Sequence, residues 1–274
     1  MLSGIGESKA LTDLGIEPIV DRPAVGKNLR EHPLVKLVYR VKTPTYNTKP
    51  YTLSGLCRKV GFFLNYLFKG IGPLSTPFDA VAFIKTRAEE EAPDVQLHFM
   101  AAGLSTDAGI LTRLPFPSVS IFINKNHPTS LGSIALASSD ANEDPLIHSR
   151  LLENADDTAT LVRAYKQVRS LMTTLPMNTL LVEEIRPGSH VDGDDALEAY
   201  VKKNTELCYH FAGTCRMGID EDAVVTPELQ VRGVENLWVA DASIMPDLIS
   251  GNTNAVCMMI GEKLGRYLSN NIKE

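Results

Sequence analysis

The residues best suited to chemistry gather in the last quarter of the chain. Tyr209 to Gly218 reads YHFAGTCRMG: a histidine beside a tyrosine, then two glycines and one arginine, with no helical or strand period. That composition builds a loop held rigid without regular structure. Arg216 in this loop suits the anchoring of a carbonyl or carboxylate. Among the other histidines, His98 alternates within a strand-like run and reads as core, while His127, His148 and His190 lie in Pro-, Ser- and Gly-rich surroundings and read as surface. His210 is the candidate base, because a neutral imidazole with a pKa near about 6.5 can take up a proton at neutral pH.

Asn252 is its candidate partner. It follows Gly251 and stands before a helix-like run. Two readings stay open. Asn is a good N-cap, so Asn252 can simply cap that helix. Alternatively its amide orients a hydroxyl oxygen while His210 takes the proton. A helix start also presents free N–H groups, here those of Thr253 to Ala255, to an anion. Asn254 is surplus to a simple cap.

Composition bounds what these residues can serve. The chain has 274 residues, 44% apolar and 22% charged, enough for one large or two modest globular domains. A net charge of −6 without a long basic run argues against a nucleic-acid binder. Cys57, Cys208, Cys215 and Cys257 form no C-x-x-C pair, which points to free thiols rather than a metal site or a disulfide framework. Gly4 to Lys9, GIGESK, begins like a dinucleotide fingerprint, but Lys9 fills the third glycine position and no strand precedes it. There is no G-x-S-x-G elbow, P-loop or H-E-x-x-H.

The elements that would position the site read as α+β. A helix is expected over 8–14, closed by Gly15, and a short strand in IEPIV; RPAVGKNLREHP reads as loop. A strand follows at 34–41, a loop at 42–53 and an amphipathic helix at 56–68. Strands are expected at 80–86, 94–100, 118–124 and 132–138, the last two as antiparallel neighbours, since no helix-length crossover separates them. The clearest helix is 156–174, with Leu161, Tyr165, Val168, Leu171 and Met172 on one stripe. A shorter helix over 194–203, a strand at 236–240 and a last helix over 253–268 complete the reading, the last with Val256, Met259, Ile260, Leu264 and Tyr267 on a stripe that Lys263 interrupts.

HFAGTCRMG, followed by AVVTPELQVRGVENLWVADASIMPDLISGNTNAVCMMIGEK, resembles the C-terminal signature of the glucose–methanol–choline oxidoreductases. MLSGIG, LGIEPIVDRPAVGKNLREH, GPLSTPFDAVAFI and HPTSLGSIALASSD extend the likeness in the family's order over nearly the whole chain. The resemblance implies FAD-dependent oxidation of a small-molecule alcohol, with oxygen, a quinone or another carrier as electron acceptor. It implies that His210 is the base and Asn252 the second active-site residue. It implies that Asp241, Ala242, Asn252, Thr253 and Asn254 approach the FAD, and that Phe78 and Asp79 contact substrate. A metal is not implied. The implied fold is a largely antiparallel substrate-binding sheet flanked by helices over 31–204. Two parts of a Rossmann-like FAD-binding domain, 1–30 and 205–274, bracket it, without the N-terminal βαβ unit. The chain is thus expected to be the later part of a longer enzyme, cytoplasmic or membrane-peripheral. A non-catalytic remnant and a hydroxynitrile lyase on the same scaffold are the rival expectations.

Overall fold

The computed structural model describes residues 1–47, 52–105 and 112–271. Of the loop expected over 42–53, residues 48–51 lie outside the described residues. The chain divides into two compact units: residues 1–33, 126–157 and 207–274 form the first, and residues 34–125 and 158–206 the second. The middle domain expected over 31–204 is therefore interrupted, because 126–157 groups with the two chain ends.

The second unit is built on an antiparallel sheet. Its strands run in the order Leu181–Arg186, Pro33–Val41, Ser118–Lys125, Val95–Met100 and Ala80–Ile84. Val35, Leu37, Val95 and Ile123 are fully buried on it. Both edges of Ser118–Lys125 are occupied, by Pro33–Val41 on one side and Val95–Met100 on the other. No edge remains for the neighbour expected at 132–138. That segment instead forms the three-residue strand Ser133–Ala135, which pairs with Leu146–His148 in the first unit. The strand Leu181–Arg186 was not expected. Glu183 and Glu184 break its apolar alternation, but Glu184 is held by Arg169 at 2.7 Å and by the Tyr39 hydroxyl at 3.0 Å. A carboxylate so paired can enter a sheet that an unpaired one would not.

The helix Ala155–Met172 buries Leu161, Tyr165, Val168 and Met172 as expected. Leu171 departs from the stripe and is 55% exposed. At about 100° per residue it lies about 80° round the helix from Leu161, whereas the buried four stay within about 40°. The Tyr165 hydroxyl donates to the carbonyl of Lys36 at 3.0 Å and ties the helix to the sheet.

The first unit has little regular structure. It holds the helix Ser8–Asp13, the parallel two-residue pair Ile5–Gly6 and Val20–Asp21, the short hairpin above and the helix Asn254–Asn271. The strand expected at 236–240 does not form. Trp238 makes one bridge to Gln230, flanked by bonds from Val231 N to Leu237 O and from Val239 N to Leu229 O. The pairing stays an isolated bridge and does not extend into a ladder. Val225, Ile244, Leu248 and Ile260 form the core of this unit, with Trp238, Val256 and Leu264 packed on it. Met259 and Tyr267 of the expected stripe stay exposed.

The two leucines of the long helix give a direct check. Leu161→Ala should lower the unfolding free energy by about 2–5 kcal/mol, the cost of a core cavity, and Leu171→Ala by less than about 1 kcal/mol. Chemical denaturation of the two variants measures both.

Candidate active site

The site is assembled inside the first unit from segments far apart in sequence. Arg30 and Ala212 exchange both backbone hydrogen bonds at 3.0 Å, as an antiparallel pair. Residues two positions away in opposite directions then face each other on the same side. Those residues are His32 and His210. Their Nδ1 atoms stand 3.0 Å apart and their rings meet nearly edge-on, at 86°.

The backbone ladder does not continue to this pair, because a side chain replaces it. Glu31 is 3% exposed, and its Oε1 accepts the N–H of His32 at 2.7 Å and of His210 at 3.0 Å. The backbone N–H groups of Tyr209 and Cys208 also bond it. Successive N–H groups converging on one carboxylate form an anion-binding concavity. Tyr209 makes this possible by adopting φ +63°, in the left-handed region. Burial nevertheless leaves the Glu31 carboxyl above its ordinary pKa, partly offset by these N–H donors.

Two carbonyls set the protonation of the histidines. His32 Nε2 lies 2.8 Å from the carbonyl oxygen of Asn126 and 3.0 Å from that of Ile249. Carbonyls only accept, so Nε2 carries the hydrogen. Burial, with the neighbouring His210 as a second cause, drops the His32 pKa to about 4, so the ring is neutral and its Nδ1 bears a lone pair. His210 Nδ1 must then donate to it. Burial also lowers the His210 pKa, so that ring is neutral too and its Nε2 is the free base. The Asn252 amide nitrogen lies 3.1 Å from this Nε2.

The other expected residues fall as follows. The last helix begins at Asn254, so Thr253 stands immediately before it and Asn252 one residue earlier, and Cys257 N donates to Thr253 O at 2.9 Å. Thr253 is buried, whereas Asn252 and Asn254 are exposed. Asp241 caps the short 3-10 turn Ala242–Ile244 by accepting from the N–H of Ser243 at 2.7 Å. The carbonyls of Ala242, Ser243 and Ile244 receive the N–H groups of Gly213, Cys215 and Met217, which fastens the loop after His210. Gly213 has φ +91°, and a Cβ there would lie 2.3 Å from the Asn28 carbonyl oxygen. Arg216 anchors a carboxylate within its own loop, Asp220, through two bonds of 2.7 and 2.9 Å.

Phe78 and Asp79 belong to the second unit. Phe78 packs on His98, with ring centroids 4.4 Å apart. Both Asp79 oxygens are engaged, by the Tyr46 hydroxyl at 2.6 Å and by the N–H of Ala101 at 2.7 Å. Sequence reasoning passed over Glu31 and His32. The one local signal was a charged residue and an imidazole placed immediately before a proline and a strongly apolar strand.

Residues 128–261 match the family model described as GMC oxidoreductase. Over those residues the chain carries the C-terminal domain that the GMC oxidoreductase family model describes. It is 37% identical over 271 residues to an alcohol dehydrogenase [acceptor] of Pseudomonas putida and 34% identical to an oxygen-dependent choline dehydrogenase of Brucella anthropi. Each alignment takes in 98% of this chain and 48% of the relative, so the chain spans about half the length of the curated relatives it matches. Among solved structures, an Aspergillus oryzae formate oxidase described for its FAD modification superposes with a TM-score of 0.84 at 23% identity, over 98% of this chain and 52% of that one. That likeness is one of fold, and this chain mixes helices with largely antiparallel strands.

The depressed His32 pKa makes a stability prediction. The unfolded His32 takes a proton near pH 6.5, the native one only near pH 4. Above the first value neither form is charged and there is no cost. Stability is lost as pH falls from the first value to the second, by on the order of 3 kcal/mol in total. His210 acts in the same direction, while Glu31, with its raised pKa, acts against both. In a comparison with His32→Gln, those two contributions are common to both proteins. The variant's melting temperature should therefore fall less steeply across this window; parallel profiles would refute the assignment.

Proposed function

We propose that His210 and Asn252 are the base and the oxygen-orienting amide of a site that oxidises an alcohol to an aldehyde or ketone with FAD. The observation that carries this reading is the relay fixed by the two carbonyls on His32. It leaves the lone pair of His210 on Nε2, the nitrogen beside the Asn252 amide. A base needs a free lone pair at the reacting edge, held in one tautomer, and this arrangement supplies both.

In the reaction His210 Nε2 accepts the hydroxyl proton of the substrate. The Asn252 amide turns its N–H from Nε2 to the substrate oxygen and stabilises the charge that develops there. As His210 becomes an imidazolium, its Nδ1–H stays donated to the neutral His32, and the ring keeps its orientation. Glu31 holds the backbone of both histidines, so proton transfer does not have to order the loop.

The residues fit a flavin. The exposed Asn252 and Asn254 and the N-terminus of the helix Asn254–Asn271 offer N–H donors and a partial positive charge to the electron-rich edge of an isoalloxazine ring. When bound, FAD supplies the acceptor for the substrate's hydride. In this proposal Asp241, Ala242 and Thr253 shape the adjoining wall, and Phe78 and Asp79 are the candidates for substrate contact. The electron acceptor is oxygen, a quinone or another small carrier.

The test uses the protein expressed from its complete reading frame and loaded with FAD. Adding primary alcohols without oxygen should bleach the flavin absorbance, which a lyase would not do. His210→Ala should slow that bleaching by about 10²–10⁴-fold, the usual contribution of a general base. Asn252→Ala should slow it less. An unchanged rate in His210→Ala would remove the proposed base.

A further inference from the structure

The helix Leu53–Lys69 in the second unit is amphipathic, yet it is turned the opposite way from a core-packing helix. Its one buried residue is Gly55. The side that faces the protein is marked by Gly55 and by Phe62, whose ring meets Tyr46 edge-on at 5.4 Å. Leu53, Leu56, Val60, Phe63, Leu64 and Leu67 fall on the opposite side, all within about 60° of Val60 at about 100° per residue. All six are exposed, Leu53 at 78% and Leu67 at 59%, and Phe68 beside them at 77%. The stripe continues past the Gly70 cap into exposed Ile71 and Leu74. A contiguous apolar face of this kind marks a surface that is covered in use.

The charges on the helix identify the cover. It carries Arg58, Lys59 and Lys69 and no carboxylate, although the chain as a whole has a net charge of −6. The Arg58 guanidinium lies over the Phe62 ring, 5.6 Å from its centroid, while Lys59 and Lys69 are exposed. A second copy docked on this face would bring like charges together. Anionic lipid headgroups would bring opposite ones. Aromatic and leucine side chains on one face with a cation at its margin, here Lys59 about 100° round from Val60, are what a helix lying in a bilayer interface requires. Seventeen residues make a rod of roughly 25 Å, and no helix among the described residues is long and apolar enough to cross a membrane.

We propose that the helix Leu53–Lys69 docks this protein on an anionic membrane surface, with the Leu/Phe stripe in the acyl boundary and Lys59 among the headgroups. Through this helix the protein lies on the bilayer.

The experiment is flotation of the complete, FAD-loaded protein with two kinds of vesicle, phosphatidylcholine alone and phosphatidylcholine mixed with phosphatidylglycerol. Binding to the anionic vesicles should be about tenfold or more tighter, and should weaken as salt is added. Phe63→Glu with Leu67→Glu should abolish flotation while flavin content stays unchanged. Lys59→Gln keeps the apolar stripe and should erase the preference for anionic vesicles. The proposal is overturned if the unaltered protein stays at the bottom of the gradient, or if the glutamate pair floats as before. It is equally overturned if the unaltered protein is vesicle-indifferent and the glutamate pair turns a dimer into a monomer, since a second copy is then the cover. If the protein is vesicle-indifferent and the glutamate pair strips its flavin, the cover is another part of the same protein, and the proposal again fails.

Discussion

Two backbone carbonyls, those of Asn126 and Ile249, meet on one nitrogen of a buried histidine, and the chemistry of the site follows from that contact. A carbonyl cannot donate, so the hydrogen on His32 Nε2 is fixed. Burial prevents a second proton from joining it, so Nδ1 must accept. The same constraint passes through one more hydrogen bond and ends on His210 Nε2. No charged group is needed to orient the base. The relay works through neutral rings in a poorly solvated pocket, where an unpaired nitrogen would be costly and each bond therefore has one sensible direction.

Around that contact the first unit does the work that regular secondary structure does elsewhere. The loop after His210 is not a helix or a strand, yet Gly213, Cys215 and Met217 each donate to the turn at Ala242–Ile244. Glu31 takes the N–H groups that a continuing ladder would have paired. Buried backbone groups are satisfied by this exchange of partners, which is the condition for an irregular segment to hold its shape.

Much of the fold was legible in the sequence, and the failures have local causes. The helices at Ala155–Met172 and Leu53–Lys69 and the strands at Pro33–Val41, Val95–Met100 and Ser118–Lys125 follow from hydrophobic period. The strand Leu181–Arg186 was hidden because its glutamates are paired by residues distant in sequence, Arg169 and Arg40. The segment 236–240 has strand composition, but its pairing is a single isolated bridge, Trp238 with Gln230. Of the candidate site, His210 and Asn252 stood out by loop composition and by position at a helix start. His32 did not, because its meaning resides in a partner 178 residues away and in two main-chain oxygens that leave no trace in residue type. Period also predicts that a helix has an apolar face without saying which way that face is turned, and the helix Leu53–Lys69 turns it outward.

The reciprocal pairing of Arg30 with Ala212 has a further consequence for how this chain can vary. It makes the meeting of the two imidazoles a matter of parity. Substitutions at Phe211 or Arg30 leave the alternation intact. Adding or deleting a single residue between Arg30 and His32, or between His210 and Ala212, would rotate one imidazole to the other side of the pair, with every atom of the histidine still present. Length within these two tripeptides is therefore constrained more tightly than composition. A homologue that altered either length would need to change both together to keep the two rings in contact.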